Sequence, residues 1–83
     1  MRPDEAVVLD SRALAYLKLG NLPAAIADYE AALAREPNLA SALYGRGYAK
    51  SKAGDEMGGQ ADIAAAKALK ADIVEEFERY GVK

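Results

Sequence analysis

Sliding the chain against itself by 34 positions pairs Pro3 with Pro37, Ala6 with Ala40, Leu9 with Leu43, Arg12 with Arg46, Ala15 with Ala49, Lys18 with Lys52 and Gly20 with Gly54. These are seven identities over the eighteen aligned positions of 3–20 and 37–54, and the scarce residues Pro and Gly are among them. A repeat of this period constrains the fold more than any single motif. Each unit is one supersecondary element that cannot bury its own apolar face, so the core comes from stacking neighbours. After Gly54 the matches Ala25 with Ala61, Ala32 with Ala68 and Leu33 with Leu69 fall at an offset of 36. That slip predicts a turn two residues longer in the second copy, with Met57-Gly58-Gly59 as a flexible insertion.

Each copy reads as helix, turn, helix. Asp4 is placed as N-cap of a first helix that runs to Leu19, and Gly20-Asn21 supplies residues that tolerate the left-handed region and end it. Pro23 suits the first turn of the second helix, where its missing N–H is not needed. That helix carries Ile26, Tyr29, Ala32 and Leu33 on one stripe and stops before Pro37, which disfavours helical geometry at Glu36. Asn38 is expected to cap a third helix ending at Gly54, and the fourth is expected from Gly59 to Ala71. Asp72-Ile73-Val74-Glu75 has the form of a capping box for a fifth helix, with Ile73, Val74, Phe77 and Tyr80 on one stripe and Gly81 as its stop. The expected fold is all-α: two antiparallel helical hairpins, 3–36 and 37–71, and a capping helix at 72–81, forming a single domain over 1–83.

Composition narrows the chemistry. The 83 residues include no Cys, His or Trp, which removes zinc ligation by thiolate and imidazole, thiol nucleophiles, imidazole bases and disulfides. Carboxylates at Asp55-Glu56 and at Asp72, Glu75 and Glu76 remain, but acid–base or metal chemistry needs ligands converging in a pocket, so no catalytic residue, metal or cofactor is expected. A net charge of −2 makes phosphate neutralisation a poor organising principle. The stretch from Pro37 to Gly54 does hold Arg46, Lys50 and Lys52 and no acid. With Tyr44 and Tyr48 it could be offered as a single-strand contact, yet the patch is small and its flanks acidic, and nucleic acid is not an expected partner. No apolar run approaches the roughly 18 residues a membrane span needs, and Met1 to Glu5 is polar and acidic where a signal peptide is basic and then apolar. The reading is a soluble chain without a membrane partner, its compartment unknown and cytoplasmic by default.

The first copy resembles a tetratricopeptide (TPR) repeat through Leu9, Ala13, Tyr16, Gly20, Ala25, Tyr29, Ala32 and Pro37, eight positions in order over 34 residues. The second copy is a degenerate match through Leu43, Gly47, Gly54, Ala61, Ala68 and Leu69, with Lys50 and Ala65 where aromatics belong and Ile73 in place of Pro. Arg12 and Arg46 stand where Leu is commoner, their stems able to pack while their heads stay wet. The resemblance covers residues 3–72 and implies an α-solenoid. Ala13, Ala25, Ala32, Gly47, Ala61 and Ala68 should then sit where helices approach most closely, with Tyr16, Tyr29, Leu33 and Leu69 filling between them.

The resemblance implies a non-enzymatic module that binds a peptide or protein segment in the groove of its first and third helices. Its groove positions would be Val7, Asp10, Ser11, Leu14 and Lys18 on helix one, and Ser41, Tyr44, Gly45, Tyr48 and Lys52 on helix three. Tyr44 and Tyr48 with Lys52 could hold an apolar or aromatic side chain and pair with a carboxylate, or the tyrosines could instead pack beneath a neighbouring side chain. Asp10, Leu14 and Gly45 occupy places where the family's carboxylate clamp needs Lys and Asn, so the C-terminal tails of heat-shock chaperones are disfavoured partners. Val8, Ala15 and Leu19 form a further stripe on helix one with no partner in the sequence. That edge fits either a piece of a longer array or self-association as a homodimer.

Overall fold

A computed structural model of the protein describes residues 5–82. The order is α1 (Glu5–Lys18), α2 (Leu22–Arg35), α3 (Ala40–Lys52), α4 (Glu56–Leu69) and α5 (Ile73–Arg79), all-α and packed as sequential antiparallel pairs. α2 packs on both α1 and α3, α1 reaches α3, and α5 lies against α3 and α4. The N-cap expected at Asp4 falls outside the described residues. Among the described residues no helix is long and apolar enough to cross a membrane.

Both hairpin turns are built the same way. In the first, Gly20 adopts φ +81°, the Gly20 N–H donates to Leu17 O at 3.0 Å, and the Asn21 N–H donates to Tyr16 O at 2.9 Å. In the second, Gly54 adopts φ +103°, and the Gly54 and Asp55 N–H groups reach Ser51 O and Lys50 O at 3.1 and 2.8 Å. Each glycine satisfies the last carbonyls of its helix in a conformation that costs other residues energy. The next residue then caps the following helix. Asn21 Oδ1 accepts from Ala24 N, and Asp55 Oδ1 accepts from Gly58 N at 3.0 Å.

This overturns the register slip. The Asp55 cap starts α4 at Glu56, so Met57-Gly58-Gly59 is its first turn and not a loop insertion, and the two turns have equal length. The offset is 34 throughout, which aligns Ala25 with Gly59, Asp28 with Asp62 and Ala32 with Ala66. Gly59, Asp62 and Ala66 are the buried members of α4, whereas Ala61, Ala68 and Leu69, expected in the seam, are exposed. Ala13, Ala25 and Ala32 are fully buried as expected, Tyr29 beside them, with Leu33 and Gly47 also buried and Tyr16 half-buried. Two caps also differ from expectation. Asn38 lies in the turn, and α3 starts after Leu39, which makes no side-chain cap. Asp72 precedes α5 but, at φ −98° and ψ 19°, lacks the extended backbone that aims a cap at the helix N–H groups, so no capping box forms.

The corrected register also explains the arginines. Arg12 Nε and Nη2 donate to Asp28 at 2.6 and 2.9 Å, and Arg46 Nε and Nη2 donate to Asp62 at 2.8 and 2.9 Å. Each hairpin is thus stapled across its two helices by a bidentate pair, and the guanidinium heads are engaged where a wet head was expected. The first is more open, its Arg side chain 59% exposed against 22% for Arg46. Arg46→Leu should therefore cost about 1.5–3 kcal/mol and Arg12→Leu clearly less, because its exposed pair is screened by solvent, read as shifts of the urea midpoint. The Asp62 carboxyl carries the pH dependence. Burial pushes it up, but the Arg46 hydrogen bonds and charge, with Lys50 nearby, outweigh burial and hold it below its ordinary 3.8. A carboxyl lowered by folding adds stability that is complete above pH 3.8 and is lost as pH falls through the depressed value. The gap between wild type and Arg46→Leu should close over that acidic range.

Candidate functional site

At an offset of 34 the fifth helix falls into phase as well. Leu9, Leu43 and Phe77 are equivalent, as are Leu39 and Ile73, and the Leu39 and Ile73 N–H groups donate to Glu36 O and Lys70 O at 3.2 and 3.1 Å. α5 therefore stands where the first helix of a third unit would stand, and α1, α3 and α5 line one face together. Ile73 and Phe77 are buried, which anchors α5 through the apolar stripe read from the sequence.

Between these helices lies a cleft of about 430 Å³. α1 contributes Asp10, Ser11 and Leu14 to it, the start of α3 contributes Ala40 and Ser41, and α5 contributes Glu76, Phe77 and Tyr80. Tyr29 of α2 also lines it, with Leu39 and Lys70. The Ser41 hydroxyl donates to Asp10 Oδ2 at 2.8 Å, tying α3 to α1. On the opposite wall Lys70 Nζ and Tyr80 Oη donate to Glu76 Oε1 at 3.2 and 3.0 Å. Burial raises the Asp10 carboxyl above its ordinary value; the Ser41 hydrogen bond opposes this and the Glu76 charge adds to it. Glu76 is lowered, chiefly by the Lys70 hydrogen bond.

Four of the expected groove residues, Asp10, Ser11, Leu14 and Ser41, thus meet in one cleft. Lys18 and Tyr48 lie apart, in a smaller depression of about 360 Å³ with Leu17, Gly81 and Val82. Val7 is exposed and lines neither cleft. The Tyr44, Tyr48 and Lys52 trio does not form one surface. Lys52 Nζ stands 5.5 Å from the Tyr48 ring centroid, but Tyr44 is buried beneath Phe77, with ring centroids 4.6 Å apart and planes inclined at 49°. Gly45 is also buried, with the Tyr29 ring against it. Sequence reasoning missed Tyr29, Lys70, Glu76, Phe77 and Tyr80 as cleft residues. The 34-residue spacing of Leu9, Leu43 and Phe77 was the signal that could have found the α5 members.

The basic stretch is largely spent internally, since Arg46 and Lys50 both face Asp62, Lys50 Nζ at 3.4 Å. On the outer face of α1, Val8 and Leu19 are 62% and 80% exposed and Ala15 is exposed too. The equivalents of Val8 and Ala15 on α3, Ala42 and Ala49, are fully buried where the second hairpin meets the first, whereas Ala53, the equivalent of Leu19, is exposed.

A comparison with protein-family models matched the TPR repeat over residues 13–54, 42 of the 83 residues. Comparison with curated proteins and with solved structures gave no match. TPR repeats are generally protein–protein interaction modules and typically non-enzymatic. With two hairpins in one register, a third-unit helix on the same concave face and a family model that spans half its length, the chain belongs to the TPR repeat family.

Proposed function

We propose that the face of α1, α3 and α5 binds an extended segment of a protein partner in the cleft between Asp10, Ser11, Leu14 and Ser41 on one side and α5 on the other. The observation that carries this reading is the cleft itself, a concavity of about 430 Å³ lined by both apolar and polar side chains, with Asp10, Ser41, Lys70 and Glu76 among them. Lys18, Tyr48 and Lys52 extend the face toward its other end, and Val7 stands beside it. Division of a single domain over 1–83 into two repeats, 3–36 and 37–71, with 72–81 as capping helix, is part of the same proposal. Selection of binders from a random peptide library, followed by amide chemical-shift mapping, tests it. Shifts from the selected peptides should gather on Ser11, Leu14, Ser41 and Tyr80. Peptides that bind and shift only α4 would refute the groove.

A second reading has its own observation. The α1 residues Val8 and Ala15 are exposed, with Leu19 exposed just beyond them, whereas Ala42 and Ala49, which match Val8 and Ala15 on α3, are fully buried. The α1 stripe can take either a further hairpin or a second copy of the chain. Sedimentation equilibrium at two concentrations, with wild type and Leu19→Glu, separates these roles. A dimer abolished by Leu19→Glu supports self-association, and a concentration-independent monomer excludes it for this chain.

A further inference from the structure

Two polar atoms at the cleft have no hydrogen-bond partner among the described residues: Asp10 Oδ1 and the Tyr29 hydroxyl, each almost wholly removed from solvent. Tyr29 is 0% exposed, and the end of its ring rests on Gly45, where a methyl group would collide with it. The hydroxyl therefore has little freedom to seek a partner elsewhere. Buried polar atoms are nearly always paired, and leaving them unpaired costs stability. Here two such atoms border the same concavity, on the face already proposed to bind a segment.

The chemistry of that concavity selects its occupant. An ionised Asp10 can only accept, and a phenolic oxygen can accept as well, so the complement is a group rich in N–H donors. The charge points the same way. Lys70 is held on Glu76 at 3.1 Å, and among the described residues Asp10 is paired with the neutral Ser41 hydroxyl and with no cation. An anionic ligand would meet two carboxylates. The apolar part of the lining includes Leu14, Phe77 and the partly exposed ring of Tyr80, whose centroid lies 5.4 Å from that of Phe77. A guanidinium offers five donors in a plane, stacks on aromatic faces and sheds water more readily than an ammonium.

We infer that the cleft takes an arginine side chain of the partner segment, its guanidinium donating to Asp10 Oδ1 and the Tyr29 hydroxyl between Leu14 and Tyr80. The inference rests on the groove reading above and specifies the chemistry of what that groove selects.

The test uses the full chain, labelled for amide NMR, titrated with the capped peptides Gly-Arg-Gly, Gly-Lys-Gly and Gly-Gln-Gly. Gly-Arg-Gly should give saturable shifts at Ser11, Ser41 and Tyr80, with an affinity at least ten-fold above that of Gly-Gln-Gly and clearly above that of Gly-Lys-Gly. Asp10→Asn and Tyr29→Phe should each weaken it five-fold or more. Tyr29→Phe deletes only the unpaired hydroxyl, so its melting temperature should hold or rise, and weaker binding then cannot be assigned to misfolding. Equal binding of the glutamine and arginine peptides at these residues would remove the cation and leave the groove standing. Equal binding of lysine and arginine, or indifference to both variants, would also remove the guanidinium. Shifts on Val8 and Leu19 alone would remove the groove as well. If none of the three peptides binds, the arginine assignment falls and the library peptides decide the groove by themselves.

Discussion

Phe77→Ala should lower the stability of the domain by about 3–5 kcal/mol. The ring is 1% exposed and lies between Tyr44 of α3 and Tyr80 of its own helix, at 4.6 and 5.4 Å. A domain of this length holds in total about 4–12 kcal/mol, so the substitution removes a large share of it. α5 has only seven residues, too few for a helix to persist in water without packing, and its hold on the body is Phe77 with Ile73. Loss of the ring should therefore free the helix before it unfolds the hairpins. Hydrogen exchange is the measurement that sees this: the amides of Ile73–Arg79 should lose protection while those of α1 and α2 retain most of theirs. A urea midpoint within experimental error of wild type would show that α5 is not held by this contact. The variant should also uncover Tyr44 and dismantle one wall of the cleft, so a ligand bound there should be lost at protein concentrations where the hairpins remain folded.

Phe77 also shows where sequence reading succeeded and where it stopped. Its helix, its apolar stripe and the Gly81 stop were legible, because a stripe against acidic neighbours has one physical outcome. Its burial of Tyr44 was not legible, because that depends on the phase of α5 relative to α3, and the phase had been lost. The slip to 36 came from matching Ala and Leu inside an Ala-rich helix, where such identities carry little information. The residues that fix the true register do chemistry instead. Asn21 and Asp55 differ in name but both place an oxygen on the N–H three residues on. Asp28 and Asp62 are identical, and each sits sixteen residues after the arginine it pairs with. Pairing Arg12 and Arg46 with acids across their hairpins would have fixed the register. Within the cleft, Asp10, Ser11, Leu14 and Ser41 followed from the groove positions that the TPR resemblance implies, whereas Tyr29 could not, since its hydroxyl reaches the concave face only because Gly45 leaves room for the ring.

Gly59→Ala is the second substitution with a large expected effect, and its sign runs against helix propensity. An alanine in a helix is ordinarily favoured over glycine by about 1 kcal/mol, and Gly59 lies in the first turn of α4. Its methyl group, however, would stand 2.6 Å from the Gly47 carbonyl oxygen and 3.0 Å from the Ser51 amide nitrogen, and against the Ser51 hydroxyl. The hydroxyl can rotate away, but the other two atoms are backbone of α3 and yield only if the helices part. Parting them strains the Arg46–Asp62 pair and the packing of Ala66, which is fully buried. Overpacking of this kind costs about 1–3 kcal/mol, and with the propensity gain reduced at a helix end, Gly59→Ala should be destabilising by that order in a urea titration. Gly47→Ala meets the reciprocal obstacle, the Gly59 carbonyl oxygen at 2.6 Å. The two costs should not add. The first hairpin carries Ala13 and Ala25 at the equivalent positions, both fully buried, so a hairpin of this register does tolerate two methyl groups at a wider crossing. Once either substitution has moved α3 and α4 apart, the second methyl enters space already opened, and the double variant should lose clearly less than the sum of the singles. Strict additivity would mean that each glycine answers a separate local constraint and that the two hairpins are not variants of one packing solution.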